Sequence, residues 1–175
     1  MKIPAAVFLM LIAFGFVLPQ SPGKSGYNIH GKARQLIVTF KGKPHSLNLG
    51  EKIDAAKITD TKIIFADRKD KFTYLLIDVI GQSKLKEDDR QCGAGIESNL
   101  IWVKLDQAWK IADSNSVRYE SCWLSTTSDD GFRTNGYVLM LEIDDFRNDL
   151  HTTLTYDADQ PEKGFLIEKN PIKSR

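Results

Sequence analysis

The spacing of its apolar residues is the feature that most constrains this chain. From residue 34 onward, short segments rich in β-branched and aromatic residues recur roughly every 10 to 20 residues, separated by stretches that contain Asp, Asn, Gly and Pro. Within several of these segments apolar side chains alternate with a period of two, as they do in strands. This rhythm predicts an all-β fold with little helix, an antiparallel sandwich or partly closed barrel of about eight to nine strands.

The segment from Asn99 to Leu105 is the most informative of the predicted strands. Both of its faces carry large apolar side chains, which are Ile101, Val103 and Leu105 on one face and Leu100 and Trp102 on the other. A strand that is apolar on both faces is typically covered on both, so we expect this strand to be central. The other strands are predicted at 36–40, 46–49, 61–66, 72–80, 117–124, 137–143, 150–156 and 164–168, and one short helix at 51–58.

The first 23 residues predict a removable leader. Lys2 precedes an uncharged apolar run of about 14 residues, shorter than the ~20 that a membrane-spanning helix needs, and Pro19 ends that run. Such a segment is typical of a secretory signal peptide. We therefore expect residues 1–23 to be removed and the mature protein to be secreted or periplasmic, without stable membrane insertion.

The remainder of the chain predicts a single domain. Residues 24–33 are rich in Gly and Ser and lack apolar periodicity, which favours a flexible lead-in. Residues 34–170 are long enough to bury one core and show no internal repeat, so we expect one β domain there. A short C-terminal tail follows at 171–175.

Cys92 and Cys122 are the only cysteines of the chain. In an oxidising compartment an even pair is most simply a disulfide, and a zinc site would need more ligands. In the chain-entropy model, closing the loop of about 31 residues between them stabilises a fold by roughly 3 to 4 kcal/mol. We therefore expect one disulfide, which pins the loop before the central strand.

Charge and motif content argue against several classes of function. The 24 Lys and Arg residues and the 23 Asp and Glu residues are interleaved along the chain, so no basic face for nucleic acid is predicted. Gly93-Ala94-Gly95 lacks the third glycine and the flanking strand and helix of a dinucleotide-binding turn. The histidines do not have the spacing of metal ligands, and no serine-nucleophile motif is present. The sequence predicts no cofactor, no metal site and no catalytic residue.

Two polar loops, 81–98 and 125–136, are predicted to form the binding surface, because ordered loops on a rigid sheet commonly carry binding sites. Aromatic and arginine side chains in or near these loops favour an interface, where such residues are enriched. The candidate binding residues are Asp89, Arg90, Glu97, Trp109, Trp123, Phe132 and Arg133. The competing interpretation is that the aromatic residues only fill the core and cover the disulfide.

The leading hypothesis is an exported, non-enzymatic binding protein, such as an inhibitor, an immunity-type protein or an adhesion-like module. Its partner would be another protein or a glycan in the envelope or extracellular space. Two alternatives stay open. Paired loop carboxylates such as Asp129 and Asp130 would suit a small secreted carbohydrate-active hydrolase, and alternating apolar strands would suit a carrier of a small apolar ligand.

Overall fold

The computed structural model describes residues 26–50, 52–53, 55–84 and 95–172. Within these ranges the strand pairs are all antiparallel, and the one helical element is a 3-10 turn at Pro161–Lys163. The predicted all-β, antiparallel fold is confirmed. The strands are β1 (Tyr27–Lys32), β2 (Gln35–Phe40), β3 (Lys43–Leu47), β4 (Lys57–Lys69), β5 (Phe72–Gln82), β6 (Ile96–Leu105), β7 (Ile111–Ser121), β8 (Thr126–Thr127), β9 (Phe132–Asn135), β10 (Val138–Asp145), β11 (Leu150–Asp157) and β12 (Phe165–Pro171).

The strands form two sheets of unequal size. A three-stranded sheet has the order β1-β2-β3, and a nine-stranded sheet runs β12-β11-β10-β8-β7-β6-β5-β4, with β9 also paired to β10. The two edge strands of the larger sheet, β4 and β12, do not pair with each other in the described part of the chain. The larger sheet is therefore open and does not close into a barrel, and of the two predicted architectures the arrangement is sandwich-like.

A first core lies between the small sheet and one face of β4, β5 and β6. It combines side chains from both sheets, because each sheet is apolar on the side that faces the other. Its members from the small sheet include Leu36, Val38 and Leu47, and those from the large sheet include Ile77 and Ile101. All five side chains are essentially inaccessible to solvent.

A second core lies on the opposite face of β5 and β6. Here Leu76 and Leu100 contact side chains from the distant strands β10 and β11, among them Leu141, Leu154 and Tyr156. Since β10 and β11 belong to the same hydrogen-bonded sheet as β5 and β6, the nine-stranded sheet must curl until its two ends face each other. Irregularities of register in β6–β7 and in β4–β5 accompany this curvature, as bulges strengthen the local twist.

The prediction of a central strand at 99–105 is confirmed. Ile101, Val103 and Leu105 belong to the first core, whereas Leu100 and Trp102 belong to the second. Strand β6, which contains them, is hydrogen-bonded to β5 on one side and to β7 on the other.

The predicted helix at 51–58 is wrong. Its described residues Lys52, Ile53, Ala55 and Ala56 are not helical, and Lys57 begins β4. Ile53 and Ala55 are fully buried in the first core. Burial of these two residues by the neighbouring sheets outweighs the weak helical pattern of the segment.

The predicted flexible lead-in at 24–33 is also corrected, because Tyr27–Lys32 form β1 and pair along their whole length with β2. Tyr27 and Ile29 pack against the first core. A Cβ atom added to Gly31 would lie only 2.4 Å from the Ile58 Cγ2 atom of β4. The close approach of β1 to β4 therefore requires a residue without a side chain at this position.

The predicted C-terminal tail, the predicted leader and the predicted disulfide involve residues at or beyond the limits of the described ranges. Pro171, the first residue of the predicted tail, ends β12 instead. Residues 1–23 and Cys92 lie outside the described residues, so the leader and the disulfide stay predictions. In the described ranges no helix has the length and apolar character needed to span a membrane.

Candidate functional site

The predicted binding residues fall in separate regions of the fold. Asp89 and Arg90 lie outside the described residues. Glu97 is buried within β6 of the large sheet, and Trp109 packs against the first core. Trp123 lies just after the end of β7. Phe132 and Arg133 are neighbours on β9.

Glu97 is part of a buried polar cluster. Its side chain is only 1% exposed, and its Oε1 atom accepts a hydrogen bond of 2.9 Å from the Ser83 hydroxyl. The Nε atom of Arg118, on the adjacent strand β7, lies 3.6 Å from the other carboxylate oxygen. A buried carboxylate needs such partners, since an unpaired charge in the interior is costly. Glu97 thus joins β6 to its surroundings within the protein and is not presented on the surface.

A second buried pair lies on the other face of the large sheet and joins β5 to β7. The Tyr119 hydroxyl donates a hydrogen bond of 2.8 Å to Asp78 Oδ1. Burial raises the pKa of Asp78, and the hydrogen bond from Tyr119 opposes that rise. Burial and the neighbouring Asp78 carboxylate together raise the pKa of Tyr119. The hydrolase hypothesis requires a carboxyl group with a raised pKa. Asp78 has one, but it lies in the protein interior and not on an open surface.

Trp109 joins the small sheet to the turn between β6 and β7. Its backbone has a φ of 63°, a left-handed conformation that is uncommon for a bulky residue. The Asp106 side chain holds this turn by accepting hydrogen bonds of 2.8 Å from the backbone N–H groups of Ala108 and Lys110. The indole stacks on the His45 ring of β3, with the ring centroids 3.9 Å apart and the planes 7° apart. One face of the indole is thus already covered within the protein.

Replacing His45 by Ala is expected to lower the free energy of unfolding by about 1 kcal/mol, because an aromatic pair contributes about 0.5–1.5 kcal/mol beyond its buried area. Urea denaturation followed by circular dichroism measures the change. The exposed neighbour Ser46 provides the matched control. Equal effects of His45→Ala and Ser46→Ala would show that the stack does not hold the small sheet.

Phe132 and Arg133 point to opposite faces of the large sheet, as successive strand residues do. Phe132 lies opposite Leu141 and packs on the second core, where its ring meets Tyr119 edge-on at a centroid distance of 6.4 Å. Arg133 lies opposite Met140 on the outer face. The competing interpretation, that aromatic residues fill the core, therefore holds for Phe132, while Arg133 lies on an exposed surface.

Arg133 borders an open groove of about 1750 Å³ on the outer face of the large sheet. Strands β8 and β9 pair with the same edge of β10, and between them residues 128–131 leave the sheet in a turn closed by the bond from Gly131 N–H to Ser128 O. The turn lines one part of the groove, and the end of β12 lines another. The lining residues are Thr127, Asp129, Asp130, Gly131, Arg133, Thr134, Asn135, Met140, Glu142, Asp144, Phe146, His151, Asn170, Pro171 and Ile172.

The register of the strands orders the outer-face side chains into rows. One row contains Arg133, Met140, Thr155 and Leu166, which lie opposite one another on β9, β10, β11 and β12. The next row contains Glu142, Thr153 and Glu168, and the row after it contains Thr127, Asp144, His151 and Asn170. Hereafter we call these three rows the outer face.

Both basic groups of the groove are paired with a carboxylate. Arg133 forms an ion pair with Asp130 in the adjoining turn. His151 Nδ1 lies 2.7 Å from Asp144 Oδ1, its cross-strand neighbour, and both side chains are about one-third exposed. Asp129 and Glu142, in contrast, form no ion pair with any described residue.

Trp123 supports the rim of the groove through its backbone. Its carbonyl oxygen accepts a hydrogen bond of 2.6 Å from the Arg147 guanidinium. Arg147 lies in the turn between β10 and β11, next to Phe146, which is 61% exposed and lines the groove. The Asn148 side chain donates a hydrogen bond of 2.7 Å to Asp145 in the same turn, and this bond, with those from the backbone N–H groups of Asn148 and Arg147, lowers the pKa of Asp145.

Sequence reasoning missed most of the groove. Met140, Glu142 and Asp144 alternate along β10 with the buried residues of the second core. That alternation is visible in the sequence and would have placed the three side chains on one exposed face. His151 of β11 and Asn170 of β12 lie beside these residues only because β11 pairs with β10 and β12 pairs with β11.

Comparison of this chain with known protein families, with curated proteins and with solved structures finds no match in any of the three.

Proposed function

We propose that this chain is an exported binding protein that holds another protein against the groove and outer face. The groove is the observation that carries this proposal. It combines a concave shape, a defined set of polar side chains and exposed apolar residues, which together are typical of a recognition surface. Export is inferred from the leader-like residues 1–23, as argued from the sequence.

Exposed apolar side chains favour a protein as the partner. Met140 is 49% exposed in the middle of the sheet, and Phe146 is 61% exposed at the rim. Methionine, phenylalanine and arginine are enriched where proteins contact each other, and Arg133 completes this set beside Met140. The polar loop 125–136, predicted as a binding loop, supplies Arg133 and the acidic turn to the groove.

Site-specific photo-crosslinking tests this proposal. A benzophenone amino acid replaces Met140 in the full chain, which is then irradiated in envelope extract and in culture supernatant. We expect one protein of defined mass to be linked, and an excess of unmodified protein to suppress the product. A benzophenone at Ser46, which is exposed on the small sheet, provides the control.

Products that are identical from both positions, or absent from both, would contradict a protein-binding groove. A glycan array probed with the same protein then tests whether the partner is a glycan instead of a protein. Glycan binding that is lost on Met140→Glu, with the circular dichroism spectrum unchanged, would replace the protein partner by a carbohydrate.

A further inference from the structure

We infer that the partner presents a basic, extended segment to the outer face, an inference that rests on the proposed binding function. The surface in question is a sheet face that nothing in the described part of the chain covers. Its charge, its apolar positions and its spacing each restrict the occupant.

The charge of the groove and the outer face together is one-sided once internal pairs are counted. Arg133 is neutralised by Asp130, and His151 is held by Asp144. Three carboxylates, Asp129, Glu142 and Glu168, have no ion pair with any described residue. A partner with negative charge would meet these groups with repulsion, whereas Lys or Arg side chains would complement them.

Two of these carboxylates are placed by the sheet itself. Glu142 of β10 and Glu168 of β12 both lie opposite Thr153 of β11, so they share one row with a small neutral residue between them. Alternate strands are about 9.6 Å apart, which is twice the usual strand spacing. One lysine or arginine lying over Thr153 would therefore be flanked by two carboxylates.

Apolar residues adjoin this acidic row on one side. Met140 and Leu166 belong to the neighbouring row and are 49% and 63% exposed. A purely ionic ligand would leave them in water. A segment that carries an apolar residue next to its basic residues would cover them, and burial of apolar area adds to the binding free energy.

The rows repeat at the period of an extended chain. Met140, Glu142 and Asp144 are successive outward residues of β10, about 6.6 Å apart because a strand rises about 3.3 Å per residue. An extended peptide lying over β11, between β10 and β12, has the same repeat between alternate side chains. Its matching pattern is an apolar residue followed at the next alternate position by a basic residue, because Asp144 in the third row is already paired with His151.

Fluorescence anisotropy with two synthetic peptides tests this inference on the full chain. The probe is Thr-Leu-Thr-Lys-Thr-Thr-Thr with a terminal dye, and the counter-probe has Glu in place of the Lys residue. We expect the lysine peptide alone to bind, and binding to weaken as salt is raised above about 0.1 M, where the Debye length is about 10 Å.

The carboxylates are tested by the double variant Glu142→Gln/Glu168→Gln. An exposed ion pair contributes modestly to affinity, so the double variant, which removes two carboxylate charges, should bind the lysine peptide about twofold to thirtyfold more weakly. Asp113→Asn removes the same kind of charge from an exposed residue of β7 and should leave binding unchanged. Unchanged circular dichroism spectra show that each variant is folded.

Three outcomes would overturn the inference: no binding of the lysine peptide, equal binding of the glutamate peptide, or no effect of the double variant. If Met140 still crosslinks a single protein in any of these cases, the binding function stands and only the basic partner is rejected. If crosslinking also fails, the proposed function is rejected as well.

Discussion

Replacing Trp102 by Ala lowers the free energy of unfolding by about 3–5 kcal/mol, the range for deletion of a large buried aromatic side chain. Trp102 is only 4% exposed and belongs to the second core. Its Nε1–H donates a buried hydrogen bond of 2.9 Å to the backbone oxygen of Pro161. A Cβ atom at Gly164 would be only 3.6 Å from the indole, so the 3-10 turn rests directly on the ring. The substitution therefore removes apolar contacts and one of the two hydrogen bonds to this carbonyl oxygen, which also accepts a bond of 3.3 Å from the Gly164 backbone N–H.

Trp102→Phe separates these two contributions. Phenylalanine keeps most of the apolar volume but cannot donate to Pro161, so we expect a smaller loss than for Ala, with about 0.5–1.5 kcal/mol of it arising from the lost hydrogen bond. Urea denaturation followed by circular dichroism measures both variants. A loss below about 1 kcal/mol for Trp102→Ala would show that the second core does not depend on this side chain.

Replacing Tyr119 by Phe should lower the free energy of unfolding by about 1–3 kcal/mol at pH 7, because it removes a hydrogen bond to the Asp78 carboxyl group, which is only 8% exposed. The ring itself remains in the second core next to Phe132. The loss therefore reports on the Asp78 carboxylate and not on packing.

The pH dependence of this loss has a definite sign. Burial raises the pKa of Asp78 above that of an unfolded aspartate, so the stability that Asp78 contributes is full below an unfolded pKa of about 3.9 and declines as the pH rises through the folded pKa. The bond from Tyr119 opposes the rise. Without it the folded pKa of Asp78 rises further, and the cost of Tyr119→Phe should be smaller at pH 4 than at pH 7.

Asp78→Asn provides the control for this prediction. An asparagine accepts the same hydrogen bond but does not titrate, so Tyr119→Phe in the Asp78→Asn background should cost less and should cost the same at both pH values. Denaturation midpoints of the four proteins at pH 4 and pH 7 complete the double-mutant cycle. A cost of Tyr119→Phe that is independent of pH when Asp78 is present would contradict the proposed coupling.

Local patterns predicted strands well where the side chains were apolar and poorly where they were polar. Residues 111–116 of β7 and Tyr27–Lys32 of β1 were not predicted as strands, because polar residues or glycines interrupt their apolar pattern. They are extended because neighbours in the sheets supply their hydrogen bonds: β6 pairs with the first segment and β2 with the second. Such pairing is a property of two strands together, so the pattern of one segment alone does not show it.

The residues of the candidate site likewise divide into those that local sequence features predict and those that they do not. Arg133 was found because its residue type is frequent at interfaces, and the structure places it beside the groove. Glu97 was predicted as a binding residue, but pairing of β6 with β5 and β7 buries it. Met140 and Glu142 were overlooked although their alternation with buried residues is local, since exposed residues of a strand are ordinarily only solvated.

The amino-acid sequence by itself determined the class of the fold and the identity of its central strand, because the period of two and the two apolar faces of 99–105 are properties of neighbouring residues. Only the tertiary structure decided how the large sheet curls into a second core, and which side chains meet on its outer face. Glu142, His151 and Glu168 share that surface through the register of β10, β11 and β12. The register is set by pairing between strands and by packing of the whole domain, and the sequence of a single segment does not specify either of them.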